Sequence, residues 1–344
     1  MNENIKICTE KILDKHSQLY KNLRDNRGLR AAFFTKKVWD SGTSLKVSFM
    51  GDGKYIKRTE YTKNESVDPI QFEISNMSTI DVIKKVVNER IIPLSKIKFT
   101  FLEGEDVGDI RISFEKDSGA WSLIGKDALD ESKSNATMNF GWLDVATVIH
   151  EFGHLLGMVH EHQNIYGNSI QWNSNAVYTW AGQTQGWDKE TTDENILKKY
   201  TQDEINGSNF DPESIMLYFF PASLTLNNTG THQNTKLSKA DVIWIINKYD
   251  PSNISMAKTF YKSIYNTELT DSDIQILQKV TLPPQTSSST WSHPKEAAVV
   301  LFTIVAAISL YYLRTSTINP DFKFKFSILL CIMYVLILFF LYLK

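Results

Sequence analysis

The chain has 344 residues, of which 42% are hydrophobic and 22% are charged, and its formal net charge is −2. This length is enough for one sizeable domain with additional segments, or for two modest domains. Because the sequence has no excess of basic residues to neutralise phosphates, we expect no nucleic-acid partner. The two cysteines, Cys8 and Cys331, stand near opposite ends of the chain, which argues against a disulfide framework and against a cysteine zinc site.

The first 30 residues form a polar segment with an amphipathic pattern. This pattern predicts a helix that docks onto the rest of the protein, because the residues of one stripe recur at helical spacing: Ile5, Cys8, Ile12, His16, Leu19 and Leu23. A second interpretation is a pro-segment in which Cys8 covers a metal ion. A signal peptide is not indicated, since residues 1–30 are rich in charge and contain no long apolar stretch.

Residues 31–250 have the pattern of one globular α/β domain. A helix is predicted over residues 80–91, and we expect Pro93 to end it because proline lacks a backbone N–H. Strands are predicted at residues 45–50, 98–102, 109–114, 121–124 and 137–140. Strands combined with a crossover helix favour an α/β sheet over an all-β sandwich.

The most informative segment is residues 150–162, which read His-Glu-Phe-Gly-His-Leu-Leu-Gly-Met-Val-His-Glu-His. On a helix, the four-residue spacing of His150 and His154 places both imidazoles on one face, one turn apart. Glu151 lies about 100° around the helix from His150. It is therefore poorly placed as a ligand on that face, but it can reach a water molecule at the metal.

Gly157 and His160 complete the pattern. Gly157 stands three residues after His154, where it can adopt the left-handed conformation that ends a helix. The chain then turns back, and His160 reaches the metal from outside the helix. Three neutral nitrogen ligands leave a fourth position for water, which is typical of a catalytic zinc. We therefore expect one zinc ion per chain, with His162 at the surface or behind the ligands.

This extended pattern resembles that of the metzincin peptidases, and Glu161 directly after His160 resembles the astacin branch. A second motif is similar to the family's Met-turn and reads Asp211-Pro212-Glu213-Ser214-Ile215-Met216-Leu217-Tyr218. The resemblance implies that Met216 forms an apolar floor under the zinc. It also implies that Tyr218 ligates the resting metal and later swings away to hydrogen-bond the reaction intermediate.

The fold that this resemblance implies is a zincin fold of the α/β class. It combines a twisted mixed sheet, two long helices above the zinc cleft, and a smaller, irregular lower subdomain with a C-terminal helix. Residues 237–242 resemble the start of that last helix, with Ser238 as its N-cap. Ala120, Trp121 and Ser122 resemble the edge strand that pairs with substrate.

The sequence also departs from the family pattern. Residues 31–250 contain no cysteine, and Leu217 stands where astacins usually carry histidine. Residues 49–52 resemble the pro-segment switch whose aspartate masks the zinc, although here they continue a predicted strand.

Together these residues predict a zinc metalloendopeptidase that acts on protein or peptide substrates. Zinc would polarise the scissile carbonyl and lower the pKa of its water. Glu151 would carry the proton from that water to the leaving amine, and Tyr218 would donate to the oxyanion. The alternative is a zinc-stabilised binding or membrane-scaffold protein that has lost catalysis. Such a relative usually lacks the general base or one of the metal ligands, whereas this chain has Glu151 and all three histidines.

The C-terminal region is predicted to anchor the protein to a membrane. Residues 251–295 become rich in Ser, Thr and Pro and are predicted to be a linker. Two uncharged apolar runs follow, residues 297–313 and 327–343, and each has the length of a short membrane-spanning helix. We expect a two-helix hairpin over residues 296–344, with a pair of buried core helices as the alternative.

Two arguments disagree about the side of the membrane on which the catalytic domain lies. The loop between the runs carries Arg314, Lys323 and Lys325, and the positive-inside rule would keep such a loop cytosolic and the protease on the opposite side. The lack of an N-terminal signal and of disulfides favours a cytosolic catalytic domain. We expect the catalytic domain to lie on the cytosolic side.

Overall fold

A mixed sheet forms one layer of the fold in a computed structural model that describes residues 9–11, 37–104, 106–164, 170–200 and 210–275. Its strands within these ranges are β1 (Thr9–Lys11), β2 (Ser44–Phe49), β4 (Lys98–Phe101), β5 (Ile110–Ser113), β6 (Ala120–Leu123) and β7 (Met138–Phe140), and a separate parallel pair joins β3 (Lys57–Arg58) to β8 (Trp142–Leu143). The six strands of the sheet pair in the order β1-β6-β7-β5-β2-β4. The pairs are parallel except β6–β7, which is antiparallel.

Strand β5 shows how the sequence pattern produces this layer. Ile110 and Ile112 lie in the main apolar core, as the period-two spacing requires. Arg111 points to the other face and is also buried, but its guanidinium donates to backbone oxygens of Asp109 at 2.9 Å and Asn135 at 2.6 Å. The five strands predicted between residues 45 and 140 are therefore present, each with bounds that differ by about one residue.

The first long helical segment continues beyond its predicted end. Helix α1 (Thr79–Val86) is capped by Ser78, whose Oγ accepts from the Asp81 backbone N–H at 3.1 Å. A π-helical turn (Val87–Ile91) and helix α2 (Ile92–Ser95) follow. The prediction that Pro93 ends the helix was wrong. Pro93 occupies the first turn of α2, where a missing N–H is tolerated, and the wider turn before it absorbs the change.

Helix α4 (Val145–Leu155) carries the first two histidines of the motif, after the short helix α3 (Asp127–Asp130). Asp144 caps α4 by accepting from the Thr147 backbone N–H at 2.8 Å. The apolar residues of α4 and its C-cap are buried in the core: Val145, Val148, Ile149, Phe152, Leu155 and Leu156. Each such side chain contributes roughly 1.5–3 kcal/mol by leaving water, so α4 is a rigid base for the site.

The C-terminal half is less regular. It contains α5 (Ser174–Thr184), α6 (Lys189–Thr192), a π-helical turn (Asp193–Leu197), α7 (Lys239–Tyr249) and α8 (Met256–Tyr265). Five short 3₁₀ turns lie among the described elements, at Pro69–Phe72, Lys116–Ser118, Glu161–Gln163, Ala222–Leu224 and Pro251–Asn253. Ser238 caps α7 in a capping box with Asp241, as predicted for the C-terminal helix.

Residues 251–275, predicted as the first part of a linker, are instead folded onto the core. Phe260 and Tyr261 of α8 are buried, and the Tyr261 hydroxyl donates to the Leu237 carbonyl at 3.2 Å. Leu269 and Ile274 are also in the core. That part of the prediction was wrong because the polar composition concealed apolar residues at helical spacing. The rest of the predicted linker, residues 276–295, lies outside the described residues.

The predicted N-terminal helix is wrong at Thr9–Lys11, which is a strand paired with β6. The sheet offers backbone hydrogen bonds at that edge, and these outweigh a weak helical pattern. The remaining predicted residues of that helix lie outside the described part of the chain.

The predicted membrane spans, residues 297–313 and 327–343, also lie outside the described residues. Of the helices that the structure describes, none is long and apolar enough to cross a membrane.

Candidate metal centre

His150, His154 and His160 converge on one point. Their candidate ligand atoms all lie within 4.8 Å of one another, and all three side chains are buried. His150 and His154 project from one face of α4, with ring centroids 4.8 Å apart. The Nε2 atoms of His154 and His160 are 3.0 Å apart. The structure thus brings together the three histidines that the spacing predicted.

The turn after α4 explains how His160 reaches the other two. Gly157 has a φ of 94°, a conformation that is strained for residues with a side chain. Its N–H donates to the His154 carbonyl at 2.8 Å, and the Met158 N–H donates to the Gly153 carbonyl at 2.9 Å. This pair of bonds is a Schellman motif. It reverses the chain within a few residues of His154.

The C-terminal end of α4 is held by contacts from other parts of the chain. The Leu155 carbonyl accepts from Trp39 Nε1 at 2.7 Å, and the Leu156 carbonyl accepts from the Tyr249 hydroxyl at 2.6 Å. The Gly125 backbone N–H donates to the His154 carbonyl at 3.0 Å. Carbonyls that a helix end leaves unpaired are therefore satisfied, and the histidines stand on a fixed backbone.

The second ring nitrogen of each α4 histidine is fixed by a backbone carbonyl. His150 Nδ1 lies 2.8 Å from the Ile215 oxygen, and His154 Nδ1 lies 2.8 Å from the Met158 oxygen. A carbonyl can only accept, so both Nδ1 atoms carry the proton and both Nε2 atoms present a lone pair to the centre.

The protonation state of the histidines suits a metal ion. Burial lowers the pKa of His150 to about 4 and holds the pKa values of His154 and His160 well below their ordinary value. The rings are therefore neutral at pH 7, as metal ligands must be. His150 Nε2 is buried and has no hydrogen-bond partner among the residues that the structure describes. Three neutral nitrogens with an unsatisfied, buried lone pair fit the donor set of a catalytic zinc site.

Tyr218 and Met216 reach the same centre from the Met-turn. The Tyr218 hydroxyl hydrogen-bonds to His160 Nε2, and its ring lies 5.5 Å from the His150 ring. Met216 packs beneath α4, where a Cβ on Gly153 would lie only 2.7 Å from the Met216 sulfur. The residue at position 153, directly before His154, must therefore be small.

Glu151 follows His150 on α4, and both of its carboxylate oxygens are shielded from solvent. It is the carboxylate next to a ligand on the same helix, as predicted. Asp52, the aspartate of the switch-like residues 49–52, is instead exposed and pairs with Lys54 at 2.7 Å. It is not part of the group of side chains that could hold a metal.

Two residues follow His160 directly, of which His162 is buried and Glu161 is half-buried. The His162 ring lies 5.3 Å from the His160 ring, and its Nε2 lies 3.0 Å from the Asn195 carbonyl oxygen. Glu161 accepts from the Asp211 backbone N–H at 2.8 Å, and burial raises its pKa to about 8. Of the two positions considered for His162, the structure therefore has the one behind the ligands.

Strand β6 runs beside the centre. Ala120, at its start, packs in one apolar cluster with Tyr218 and Phe220. The side chains of Ala120, Trp121 and Ser122 are buried, so a partner strand would contact the backbone. The prediction of a free edge was wrong, because Thr9–Lys11 pairs with Trp121–Leu123 on that side.

Sequence reasoning missed three groups that support the histidines: Gly153, Ser214 and Asp241. A glycine inside a helical pattern often has a packing reason, and this signal was available for Gly153. The spacing of Ser238 and Asp241 signals a capping box. It does not reveal that the Asp241 carboxylate also accepts from Ser214 Oγ and from the Ile215 N–H, each at 2.8 Å.

Comparisons with family models and with solved structures relate this chain to known peptidases. A family model described as Astacin, a peptidase family, matches residues 59–262. Among solved structures, the chain is similar to myroilysin, with a TM-score of 0.52 and 30% identity over 63% of this chain and 98% of that chain. It is also similar to High choriolytic enzyme 1, a hatching enzyme zinc-protease from Oryzias latipes (Medaka fish), with a TM-score of 0.38 and 14% identity over 65% of this chain and 99% of that chain. The comparison with curated proteins gave no match.

Proposed function

This chain belongs to the astacin family of peptidases, and from that premise we infer how its own residues hydrolyse internal peptide bonds. It is a zinc metalloendopeptidase. The observation that carries the assignment of residues is the convergence of His150, His154 and His160 within 4.8 Å. We assign these three histidines as the residues that hold the zinc ion.

Glu151 is proposed as the general base and acid. When bound, zinc supplies Lewis acidity, which polarises a peptide carbonyl and lowers the pKa of a water molecule to about 7. Glu151 accepts a proton from the attacking water and delivers it to the leaving amine. Its place directly after His150 on the rigid helix α4 keeps the carboxylate beside the centre in both steps.

Tyr218 is proposed as the donor to the oxyanion that develops on the scissile carbonyl. Its hydroxyl already lies within hydrogen-bonding distance of His160 Nε2, at the edge of the centre. A donor at this position stabilises the transition state more than the ground state, and loss of one such donor typically costs about 100-fold or more in kcat.

The substrate is proposed to bind as an extended strand along β6, beside Ala120, Trp121 and Ser122. Backbone pairing accepts many side chains and lets the peptide extend in both directions, which suits cleavage of internal bonds. Since Thr9–Lys11 pairs with this edge in the structure, a substrate strand must replace β1 before it can bind.

Substitution of Glu151 by glutamine tests the proposed chemistry. Glu151→Gln should bind zinc as the wild type does and cleave a fluorogenic peptide at least about 1,000-fold more slowly, because the proton acceptor is lost. Glu60→Gln makes the same chemical change at an exposed position and should keep full activity. Wild-type turnover in Glu151→Gln would refute the role of Glu151.

We also propose that residues 296–344 anchor the protease to a membrane as a two-helix hairpin, with the catalytic domain on the cytosolic side. The support comes from the sequence, in which residues 297–313 and 327–343 carry no charge. A variant ending at Thr286 should leave the membrane fraction and remain active. Full-length protein that stays in solution without detergent would refute the anchor. Protease protection in intact vesicles tests on which side of the membrane the catalytic domain lies.

A further inference from the structure

Beneath His150, a chain of hydrogen bonds leads away from the centre to a buried carboxylate. We propose that Ser214 and Asp241 are positioning residues for the metal centre, which act on His150 through one peptide group of the Met-turn. This inference rests on the proposed role of His150 as a zinc ligand. It adds Ser214 and Asp241 to the residues that support the metal centre, and neither of them touches the substrate or the reacting atoms.

The chain begins at Asp241, near the start of α7. Asp241 Oδ1 accepts from Ser214 Oγ at 2.8 Å. Asp241 Oδ2 accepts from the Ile215 backbone N–H at 2.8 Å and from the Ser238 backbone N–H at 2.9 Å. Three donors thus converge on one carboxylate and favour its ionised form, whereas burial raises the pKa of Asp241 to about 7. The Asp241 carboxylate thereby fastens the Met-turn to α7.

Ser214 connects the Asp241 carboxylate to a peptide group of the Met-turn. Its hydroxyl donates to Asp241 and at the same time accepts from the Met216 backbone N–H at 3.1 Å. That N–H belongs to the same peptide group as the Ile215 carbonyl. The Ile215 oxygen lies 2.8 Å from His150 Nδ1. The sequence of groups is therefore carboxylate, hydroxyl, peptide and imidazole, with each donor pointing toward Asp241.

This order has a physical consequence at His150. A hydroxyl that donates to a carboxylate is a stronger acceptor, and the peptide whose N–H it binds becomes a stronger acceptor at its oxygen. Ser214, Ile215, Asp241 and His150 are all buried, so water does not screen the effect. A stronger acceptor at Nδ1 fixes the tautomer and raises the basicity of Nε2. Carboxylates that contact a metal-binding histidine directly act in the same way.

A purely structural role predicts something different. Asp241 is also the third residue of α7 and the partner of Ser238 in its capping box, and a lost cap lowers stability by about 1 kcal/mol without altering a ligand. The two roles are separable because Ser238 Oγ takes part in the cap, while Ser214 Oγ takes part in the chain to His150. Ser238→Ala is therefore a matched control for Ser214→Ala.

The test measures the zinc dissociation constant of the full-length protein by competition with a chelator, together with the visible absorption spectrum of the cobalt(II)-substituted form. Ser214→Ala and Asp241→Asn should each raise the zinc Kd about 10- to 100-fold and shift the cobalt bands. Ser214→Thr, which keeps the hydroxyl, should restore a Kd near that of the wild type. Ser238→Ala should lower Tm and leave both the Kd and the spectrum unchanged.

Three outcomes would overturn the inference, and they differ in what they exclude. If His150→Ala raises the Kd but Ser214→Ala does not, Ser214 has no influence on the ligand and the inference alone fails. Equal effects of Ser238→Ala and Ser214→Ala on the Kd would likewise reduce both residues to a structural role. If His150→Ala leaves the Kd unchanged, the assignment of the metal centre fails and the inference fails with it. A variant with too little folded protein is compared through the cobalt spectrum of its folded fraction, which must shift for Asp241→Asn.

Discussion

Replacement of Gly153 by alanine tests whether Met216 supports the zinc-binding helix as the structure shows. A Cβ on Gly153 would lie 2.7 Å from the Met216 sulfur and 3.4 Å from the Met158 sulfur. Carbon and neighbouring heavy atoms pack most favourably at about 3.5–4.0 Å. The added methyl group therefore pushes Met216 away from α4 or moves the helix itself.

The expected magnitude comes from two opposing effects. Overpacking of a well-packed core costs about 1–3 kcal/mol, whereas alanine stabilises a helix interior over glycine by about 1 kcal/mol. The single variant should therefore lose only about 0–2 kcal/mol of unfolding free energy. In a Met216→Ala background the clash is absent and the methyl group occupies part of the cavity, so Gly153→Ala should become stabilising by about 1 kcal/mol.

The assay is urea unfolding of the four proteins of this double-mutant cycle, each kept metal-free with a chelator. A coupling energy of about 1–3 kcal/mol between positions 153 and 216 is expected. Gly182 lies in helix α5, where an added Cβ would meet its nearest neighbour at an ordinary 3.7 Å. Gly182→Ala should show no coupling to Met216→Ala. Additive effects at 153 and 216, within about 0.5 kcal/mol, would refute the packing of Met216 against Gly153.

Three further predictions follow from the site. Tyr218→Phe should lower kcat by about 100-fold with little change in KM, since its hydrogen bond belongs to the transition state; steady-state kinetics with an unchanged kcat would make Tyr218 structural. Deletion of residues 1–11 should lower KM by about tenfold by freeing the edge of β6, whereas deletion of residues 1–7 alone should not; equal KM values would place the substrate elsewhere. Burial lowers the pKa of His162 to about 3, so this ring stays neutral when folded but takes up a proton in the unfolded chain below about pH 6.5. His162 should therefore contribute to the unfolding free energy of the metal-free protein, and this contribution should fall by up to about 1.4 kcal/mol per pH unit on acidification from pH 6.5 to 4. His162→Phe should remove this contribution to the pH dependence. Identical pH profiles of the wild type and His162→Phe, measured by urea titration, would contradict this prediction.

The metal centre was predictable because its geometry is local. His150 and His154 are four residues apart on one helix, and Gly157 supplies the reversal that returns His160 to them. All of these contacts lie within 11 residues of chain, so spacing and one glycine determine them. Tyr218 and Met216 are distant in sequence, and the family resemblance placed them because their motif is specific.

The parts that the sequence did not reveal depend on partners far along the chain. Thr9–Lys11 forms a strand because β6 offers an edge more than 100 residues later. Residues 256–265 fold because their apolar face meets α7 and α2, although their composition is polar. The bond between Ser214 and Asp241 spans 27 residues, and nothing in either local pattern indicates it. In each case a tertiary contact overrides or completes a weak local signal.

The measurement that tests the central claim most directly is the zinc content of the purified full-length protein and two variants. The wild type and Glu151→Gln should each contain about one zinc per chain, because Glu151 is assigned as base and not as ligand. His154→Ala should contain almost none after dialysis against a weak chelator, since two histidines hold zinc far less tightly than three. Stoichiometric zinc in His154→Ala, or its loss in Glu151→Gln, would contradict the metal centre described above.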